Sequence, residues 1–158
     1  MLREIELDTP EARPLLEGLE AEYAARYGEN DELSAYDDEE FAPPGGVFFL
    51  VEENGLAIAG GGLRRLTKQT GEIKRMWTAE HVRRRGHASR VLAALERAAA
   101  ARAYTRITLE TGTEQPEAVR FYAAAGYHRI ASYGRYRDDP RSICMAKDLG
   151  AELCGGPG

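Results

Sequence analysis

The chain has 158 residues, a length that fits one domain and leaves little room for a second. Hydrophobic residues make up 43% and charged residues 30%, which excludes a collagen-like or disordered chain. No apolar run approaches the ~20 residues of a membrane-spanning helix, and the acids within Met1–Thr9 argue against a secretory signal. Cys144 and Cys154 alone do not make a disulfide scaffold, so we expect a reduced, cytoplasmic protein.

Charge is distributed unevenly along the chain. Residues 1–54 carry 16 acidic and 3 basic side chains, a net charge of −13. Residues 55–158 carry 10 acidic and 18 basic side chains, a net charge of +8. This asymmetry predicts either two surfaces for ligands of opposite charge or two solvated faces.

The first third predicts a strand, a helix and a long acidic connection. Ile5 and Leu7 alternate with acids, as in a half-buried strand. Thr9 and Pro10 suit the start of a helix whose apolar residues recur at helical spacing as far as Tyr27, where Gly28 can end it. Residues 29–46 then form a connection with room for a short helix near Asp37–Phe41.

The next segments predict an antiparallel meander. Val47–Val51 is continuously apolar and predicts a buried strand. Asn54-Gly55 is a strong hairpin signal, and Leu56–Leu66 is the returning strand, whose three consecutive glycines predict a bulge or a close backbone approach. A further strand is expected over Glu72–Thr78.

The remaining pattern alternates helices and strands. Apolar stripes predict helices over Gly86–Arg102 and Gln115–Ala125, with strands over Arg106–Thr111, Tyr127–Ala131 and Ile143–Asp148. The expected order is β-α-β-β-β-α-β-α-β-β. We expect one domain over residues 1–150 and a flexible tail over residues 151–158.

The segment between the fourth strand and the second helix indicates an anion site. It reads Arg83, Arg84, Arg85, Gly86, His87, Ala88, Ser89. Small residues allow a ligand to approach the main chain, and a helix start offers unpaired N–H groups and a favourable dipole. The arginines add charge-assisted contacts. These features predict phosphate binding, with a solvated basic helix start as the alternative.

The same residues resemble the pyrophosphate-binding motif of the GNAT superfamily of acyl-CoA-dependent N-acetyltransferases. The strand end at Met76-Trp77-Thr78 and the later Gln115–Tyr122 segment, followed by Gly126, fit this family as well. The resemblance implies an α/β (α+β) GNAT fold. Its mixed, mostly antiparallel sheet would have about seven strands, splayed between strands four and five, and about four flanking helices.

The resemblance implies acetyl-CoA as cosubstrate and no metal. Met76, Trp77 and Thr78 would bind the pantetheine arm, largely through their backbones, as an added strand would be bound. The segment Arg83–Ser89 would hold the pyrophosphate. Gln115 stands where the family often has an Asn that helps to order CoA.

Amine acetylation needs one group to give a proton and one to take a proton. The resemblance implies that Tyr122 protonates the departing CoA thiolate, although its place on an apolar stripe also fits a core aromatic residue. The acceptor ammonium must lose a proton, and Glu72, Glu110 or a water chain could take it. Three scattered histidines and two cysteines show no metal-ligand spacing.

Several functions remain open at this stage. The leading one is direct acetyl transfer to the amine of a small molecule or peptide, and a non-catalytic acyl-CoA sensor is the alternative. Nucleic-acid binding is disfavoured by the acidic net charge, no membrane partner is expected, and the resemblance leaves a homodimer open. The segment Glu29–Glu40 predicts a small cationic acceptor, whereas Arg75, Arg135 and Arg137 could instead hold a substrate carboxylate.

Overall fold

A seven-stranded sheet organises residues 1–150, which are the residues that the computed structural model describes. The predicted tail, including Cys154, lies outside the described residues. The strands are β1 (Leu2–Glu4), β2 (Val47–Glu53), β3 (Leu56–Arg65), β4 (Thr70–Thr78), β5 (Arg106–Gly112), β6 (His128–Ile130) and β7 (Ser142–Asp148). The α-helices are α1 (Arg13–Tyr27), α2 (His87–Ala101) and α3 (Pro116–Ala124).

The sheet has the order β1-β2-β3-β4-β5-β7-β6. Only β4 and β5 run parallel, with α2 as their crossover connection, and the other neighbours are antiparallel. The expected element order and the mixed, mostly antiparallel sheet are therefore confirmed. The last strand, β7, lies between β5 and β6, so that β6 forms an edge of the sheet.

The described residues contain three α-helices instead of about four, and short 3₁₀ helices supplement them. The expected turn near Asp37 is a 3₁₀ helix over Asp38–Phe41 with a reciprocal capping box between Asp37 and Glu40. No helix among the described residues has the length and apolar character needed to cross a bilayer.

The first strand lies earlier than the alternation predicted. β1 covers Leu2–Glu4, while Ile5 and Leu7 are buried just after it. The Ile5 N–H still donates to the Phe48 carbonyl at 3.0 Å, so the chain follows β2 beyond the regular strand. The apolar residues of this segment were correctly predicted to be buried, but they enter the core as the chain leaves the sheet.

The hairpin and the glycine run behave as predicted. Asn54 and Gly55 both have positive φ angles, 53° and 78°, which suit a tight two-residue turn. In the ladder between β3 and β4, Gly61 lies opposite two residues of β4, Arg75 and Met76, which is a bulge. A Cβ on Gly61 would lie 2.3 Å from the Met76 sulfur, so the Met76 side chain packs directly on the main chain of this glycine.

The two faces of the sheet bury separate apolar clusters. One cluster packs α2 and α3 against the strands and includes Val91, Leu95 and Leu109. The other packs α1 against β2 and β3 and includes Leu15 and Leu19. Each fully buried Leu of this kind contributes roughly 1.5–3 kcal/mol of hydrophobic stabilisation. The helices are therefore held firmly on both sides of the sheet.

Candidate active site

The central feature of the site is a divergence of β4 from β5. The two strands pair over only four residues each, Thr70–Ile73 with Arg106–Leu109. β4 then continues to Thr78 and β5 to Gly112 without pairing to each other. A cleft of about 520 Å³ opens between them. The predicted splay between the fourth and fifth strands is therefore present.

Most of the predicted site residues line this cleft. From β4 and β5 these are Met76, Trp77, Thr78 and Glu110; from the loop and helix that follow β4 they are Arg83, Arg84, Gly86, His87, Ala88 and Ser89; from the α3 region they are Gln115 and Tyr122. Glu72 and Arg85 do not line it. The cleft thus brings together segments that are distant in the sequence.

The loop before α2 has the backbone shape of an anion cradle. Arg84 and Gly86 adopt left-handed conformations, with φ angles of 66° and 82°. An added Cβ on Gly86 would meet no atom within 4 Å, so the space above this glycine is open. The N-terminal N–H groups of α2 begin at the next residue. This geometry fits a pyrophosphate group.

The three arginines of the loop have different surroundings. Arg83 donates to the Glu22 carboxylate at 2.8 Å and to the Thr78 carbonyl at 3.3 Å, and so ties the loop to α1 and β4. Arg84 lines the cleft, while Arg85 is exposed to solvent outside it. Of the three, Arg84 is best placed to contact an anion in the cleft.

His87 is the first residue of α2 and is buried. Among the described residues neither ring nitrogen has a hydrogen-bond partner, and Nε2 lies 4.0 Å from the Glu53 carboxylate. The other histidines, His81 and His128, are exposed, as expected. No group of His, Cys, Asp and Glu within residues 1–150 could hold a metal ion.

Tyr122 is both a core residue and a cleft residue. Its ring packs edge-to-face against Phe121 and Tyr127, with centroids 5.0 and 5.7 Å away. Its hydroxyl has no hydrogen-bond partner within residues 1–150. Burial raises the pKa of the Tyr122 hydroxyl above its ordinary value, so the phenol keeps its proton at neutral pH. Packing holds the ring while the hydroxyl is left available.

Glu72 is engaged in a buried network away from the cleft. It lies opposite Thr108, where β4 and β5 are still paired. Arg64 donates to its carboxylate at 2.7 Å and the Tyr133 hydroxyl donates at 2.5 Å. These two donors occupy the Glu72 carboxylate. Its surroundings fit a structural role.

Glu110 follows the last paired residue of β5 and lines the cleft. The Ser142 hydroxyl donates to its Oε2 at 2.7 Å. Burial raises the pKa of the Glu110 carboxyl, while this hydrogen bond and the Lys74 ammonium act in the opposite direction. A carboxylate with a raised pKa is a better proton acceptor than an exposed one.

Glu32, a member of the predicted acidic segment Glu29–Glu40, lines the cleft together with Lys74, which was not predicted as a site residue. Their charged groups are 3.9 Å apart, and Lys74 also lies over the Tyr36 ring at 4.7 Å. Burial lowers the pKa of Lys74, but Glu72, Tyr36 and Glu32 outweigh this effect and leave it raised. Lys74 therefore stays cationic. Lys74 and Glu110 are on separate strands, so the sequence did not indicate that both would line one cleft.

The acidic segment Glu29–Glu40 lies largely outside the cleft. Asp38 accepts from Arg75 at 3.0 Å, and Glu40 forms an ion pair with Arg64 at 2.9 Å. Of this segment only Glu32 lines the cleft. Two of the four acids in the expected border at Asp37–Glu40, namely Asp38 and Glu40, are therefore engaged in ion pairs with arginines of the sheet.

The arginines considered for a substrate carboxylate are largely engaged by other groups of the protein. Arg75 lines the cleft, but its guanidinium is paired with Asp38. Arg75 also donates to the carbonyls of Leu33 and Tyr36, at 2.8 and 3.1 Å. Arg135 donates to Asp31 at 2.5 Å and to Glu32 at 3.2 Å. These bonds fasten the connection after α1 to the rest of the molecule. Arg137 does not line the cleft.

Gln115 caps the start of α3 and faces α1. With its amide oxygen toward Arg26, it accepts from Nη1 of that guanidinium at 2.8 Å. Arg26 in turn lies 3.9 Å from the Glu22 carboxylate, one helical turn before it. Sequence reasoning overlooked this pair, although the i, i+4 spacing of Glu22 and Arg26 was a visible signal.

Comparison with known proteins agrees with this geometry. Residues 13–127 match the acetyltransferase (GNAT) family. The uncharacterized N-acetyltransferase YsnE of Bacillus subtilis is 34% identical over 106 residues, covering 65% of this chain and 70% of that protein.

Solved structures share the fold. An acetyltransferase from Streptococcus agalactiae superposes with a TM-score of 0.79 at 18% identity, covering 94% of this chain and 98% of the other. A GNAT family acetyltransferase from Elizabethkingia anophelis, solved with acetyl-CoA bound, gives a TM-score of 0.68 at 17% identity, covering 94% and 97%.

The fold and the cleft define an enzyme that uses an acyl-CoA. The chain belongs to the GNAT family and is an acyl-CoA N-acyltransferase. The open space above Gly86, at the start of α2, has room for a phosphate group.

Proposed function

We propose that the protein transfers the acetyl group of acetyl-CoA directly to an amine of a small molecule or peptide. The observation that carries this proposal is that a protonated, unpartnered tyrosine and a partly desolvated carboxylate, Tyr122 and Glu110, line the same cleft. Amine acetylation needs one group to give a proton and another to take one.

Acetyl-CoA would enter the cleft along β4. Past Ile73 this strand has β3 on one side and the cleft on the other. Main-chain groups of Met76, Trp77 and Thr78 could therefore bind the amide groups of the pantetheine arm as a neighbouring strand would. The pyrophosphate would lie at Arg84, Gly86 and the start of α2, where main-chain N–H groups and the helix dipole stabilise negative charge.

The amine nitrogen attacks the thioester carbonyl carbon, and the carbon–sulfur bond then breaks. Tyr122 protonates the CoA sulfur as it leaves. We assign Glu110 as the group that deprotonates the acceptor ammonium before attack. Glu72 is the weaker candidate, because it is paired with Arg64 and Tyr133 outside the cleft.

The acceptor would reach the thioester past Glu32, Lys74 and Glu110. Lys74, Arg75 and Glu32 are paired with opposite charges. Glu110 lines the same cleft and forms no ion pair within residues 1–150, so the unpaired charge there is negative and favours a cationic amine over an anionic acceptor. This supports a small cationic acceptor, with Glu110 in place of Asp37–Glu40 as the source of attraction.

The test is CoA release from acetyl-CoA with a panel of amines. The panel contains an aliphatic diamine, an arylalkylamine, an amino acid and a lysine peptide. We expect Tyr122→Phe to lower kcat by ~10²-fold or more, because a proton donor is lost and the ring's packing remains. The CoA affinity, measured by calorimetry, should remain near that of the wild type.

Phe121→Leu is a matched control that alters packing at the neighbouring position and removes no hydroxyl. Full turnover in Tyr122→Phe would contradict the acid role. Equal CoA release with and without every amine would contradict N-acetylation of these acceptor classes.

A further inference from the structure

We propose that Ser142 is a positioning residue for the general base, holding one carboxylate oxygen of Glu110 so that the other faces the acceptor amine. This inference rests on the proposed function, in which Glu110 takes a proton from the acceptor. Ser142 carries no sequence signal for such a role, and no part of the family motif includes it.

The register of the sheet creates this contact. Glu110 lies opposite Cys144 in the ladder between β5 and β7, and Gly112 lies opposite Ser142. Ser142 and Glu110 are therefore diagonal neighbours on one face of the sheet, within reach of each other's side chains. Ser142 is buried, and its hydroxyl donates to Glu110 Oε2 at 2.7 Å.

The hydrogen bond from Ser142 engages one carboxylate oxygen of Glu110 and leaves the other without a donor among residues 1–150. Within residues 1–150 Ser142 is the hydrogen-bond donor to the Glu110 side chain, and it occupies Oε2 alone. Oε1 therefore remains to accept a proton from a ligand in the cleft. A short hydrogen bond in a partly desolvated site restricts the carboxylate to one orientation, which a general base requires.

The protons balance as follows. An ammonium loses two protons when it becomes an amide, of which one ends on the CoA thiol and the other leaves for solvent. Glu110 Oε1 takes the proton that the ammonium loses before attack and becomes a neutral acid until it releases that proton. The proton that the nitrogen loses after attack restores the hydroxyl of Tyr122, which has given its own proton to the CoA sulfur.

A side cavity next to Glu110 gives the proton a way out. It has a volume of about 20 Å³ and is bordered by Glu110, Ser142, Tyr136 and Asp139 among others. One water needs roughly 10–15 Å³ and polar partners, so this cavity can hold a single water that relays the proton.

Several charged or titratable groups surround Glu110 and influence its protonation. Lys74 and Glu72 come from β4, and Arg26, Tyr27 and Glu32 come from α1 and the connection after it. Cys144 comes from β7, and Asp139 and Arg141 come from the turn before it. Ser142 differs from these groups because its hydroxyl donates directly to the carboxylate without carrying charge.

The experiment titrates the Glu110 carboxyl by ¹³C NMR in the wild type, Ser142→Ala and Ser142→Thr. Glu110→Gln assigns the signal. Loss of a donor to the ionised form should raise the pKa of Glu110 by about one unit in Ser142→Ala. Ser142→Thr keeps the hydroxyl and should return the pKa close to the wild-type value. Ser142→Cys replaces Ser142→Ala if that variant does not fold.

The same variants are assayed with the amine of the panel that gives the fastest CoA release. We expect Ser142→Ala to lower kcat about tenfold, with an unchanged KM for acetyl-CoA, and Ser142→Thr to restore it. If Glu110→Gln keeps full kcat, Glu110 is not the base and the role of Ser142 is overturned with it. If Glu110→Gln loses activity but Ser142→Ala changes neither the pKa nor kcat, the role of Ser142 alone is overturned.

Discussion

Gly86 shows how a single backbone conformation can prepare a ligand site. Its φ of 82° lies in the left-handed region, and no atom lies within 4 Å of a Cβ built there. The missing side chain therefore leaves open space at the start of α2, and a phosphate can approach the main chain through it.

We expect Gly86→Val to weaken CoA binding strongly, because a branched side chain would occupy the space that the phosphate needs. Gly55→Val is the matched control, since Gly55 has a similar φ of 78° and an equally open Cβ position in the hairpin of β2 and β3. Both variants lose roughly 1–2 kcal/mol to backbone strain. Calorimetric titration with CoA separates them, and equal affinities would contradict the phosphate site.

Site residues could be predicted from the sequence where they belong to a contiguous motif. Arg84, Gly86 and Tyr122 belong to such motifs, and each lines the cleft. Ser142 could not be predicted, because its importance arises only when β7 pairs with β5 in one particular register. Glu72 and Glu110 both lie on strands next to the divergence, and only the position where pairing stops distinguishes them.

At the scale of elements, α1 approaches β4 through a glycine. A Cβ on Gly18 would lie 2.3 Å from the Trp77 indole nitrogen. The indole therefore packs directly on the helix backbone, and the position of Trp77 depends on that of α1. Because Trp77 belongs to the strand end proposed to bind pantetheine, α1 supports the cleft indirectly.

We expect Gly18→Ala to lower the melting temperature, by overpacking that costs about 1–3 kcal/mol. Helix propensity alone predicts the opposite, a gain of roughly 0.5–1 kcal/mol. Trp77 is the single tryptophan, so its fluorescence reports the displacement directly. Ala24→Gly, at an exposed position of α1, calibrates the propensity effect. A higher melting temperature with unchanged fluorescence would show that the indole accommodates the methyl group.

Element existence was easier to predict than element ends. Periodicity located α2 and α3 to within one residue at each end and the end of α1 at Tyr27, because the apolar stripes coincide with buried faces. The helix predicted to begin at Pro10 instead begins with a 3₁₀ turn over Pro10–Ala12, and α1 itself begins at Arg13. The first strand was predicted too late in the chain, since Ile5 and Leu7 are buried without belonging to β1. Alternation reports which side chains are buried, and it does not report which backbone groups are paired.

At the scale of the whole molecule, the charge asymmetry is partly neutralised within the fold. Acids of the first third pair with bases of the remainder, as in Glu22–Arg83 at 2.8 Å and Asp38–Arg75 at 3.0 Å. The asymmetry predicted either surfaces for ligands of opposite charge or two solvated faces. In the fold, several of these charges instead form ion pairs that hold the acidic connection against the sheet. The sheet order was equally beyond the sequence, because chain order does not indicate that β7 lies between β5 and β6.

Buried tyrosines should make the protein sensitive to alkali. Burial raises the pKa of Tyr23, Tyr122, Tyr127 and Tyr133 above the ordinary value of 10.0. Their contribution to stability is fully present below pH 10 and declines as the pH rises. The reason is that the unfolded chain then holds fewer protons than the folded one.

We therefore expect the free energy of unfolding to fall by about 1.4 kcal/mol per pH unit for each such tyrosine above pH ~10. Urea unfolding between pH 9 and pH 11 measures this slope. A variant with Tyr127→Phe and Tyr133→Phe should show a shallower decline. Identical slopes in the wild type and this variant would contradict burial as the cause.

The short seam between β4 and β5 has a consequence for hydrogen exchange. Only four residues of each strand pair there, so beyond Ile73 and Leu109 the strands turn unpaired edges toward each other across the cleft. Successive amide N–H groups of a strand point alternately to its two edges. In the free protein, every second amide of these stretches therefore points into the gap and has no partner strand there. These amides exchange with solvent from the folded state, next to neighbours that exchange only when the sheet opens. The centre of the sheet therefore carries a line of fast-exchanging sites that its burial alone would not suggest.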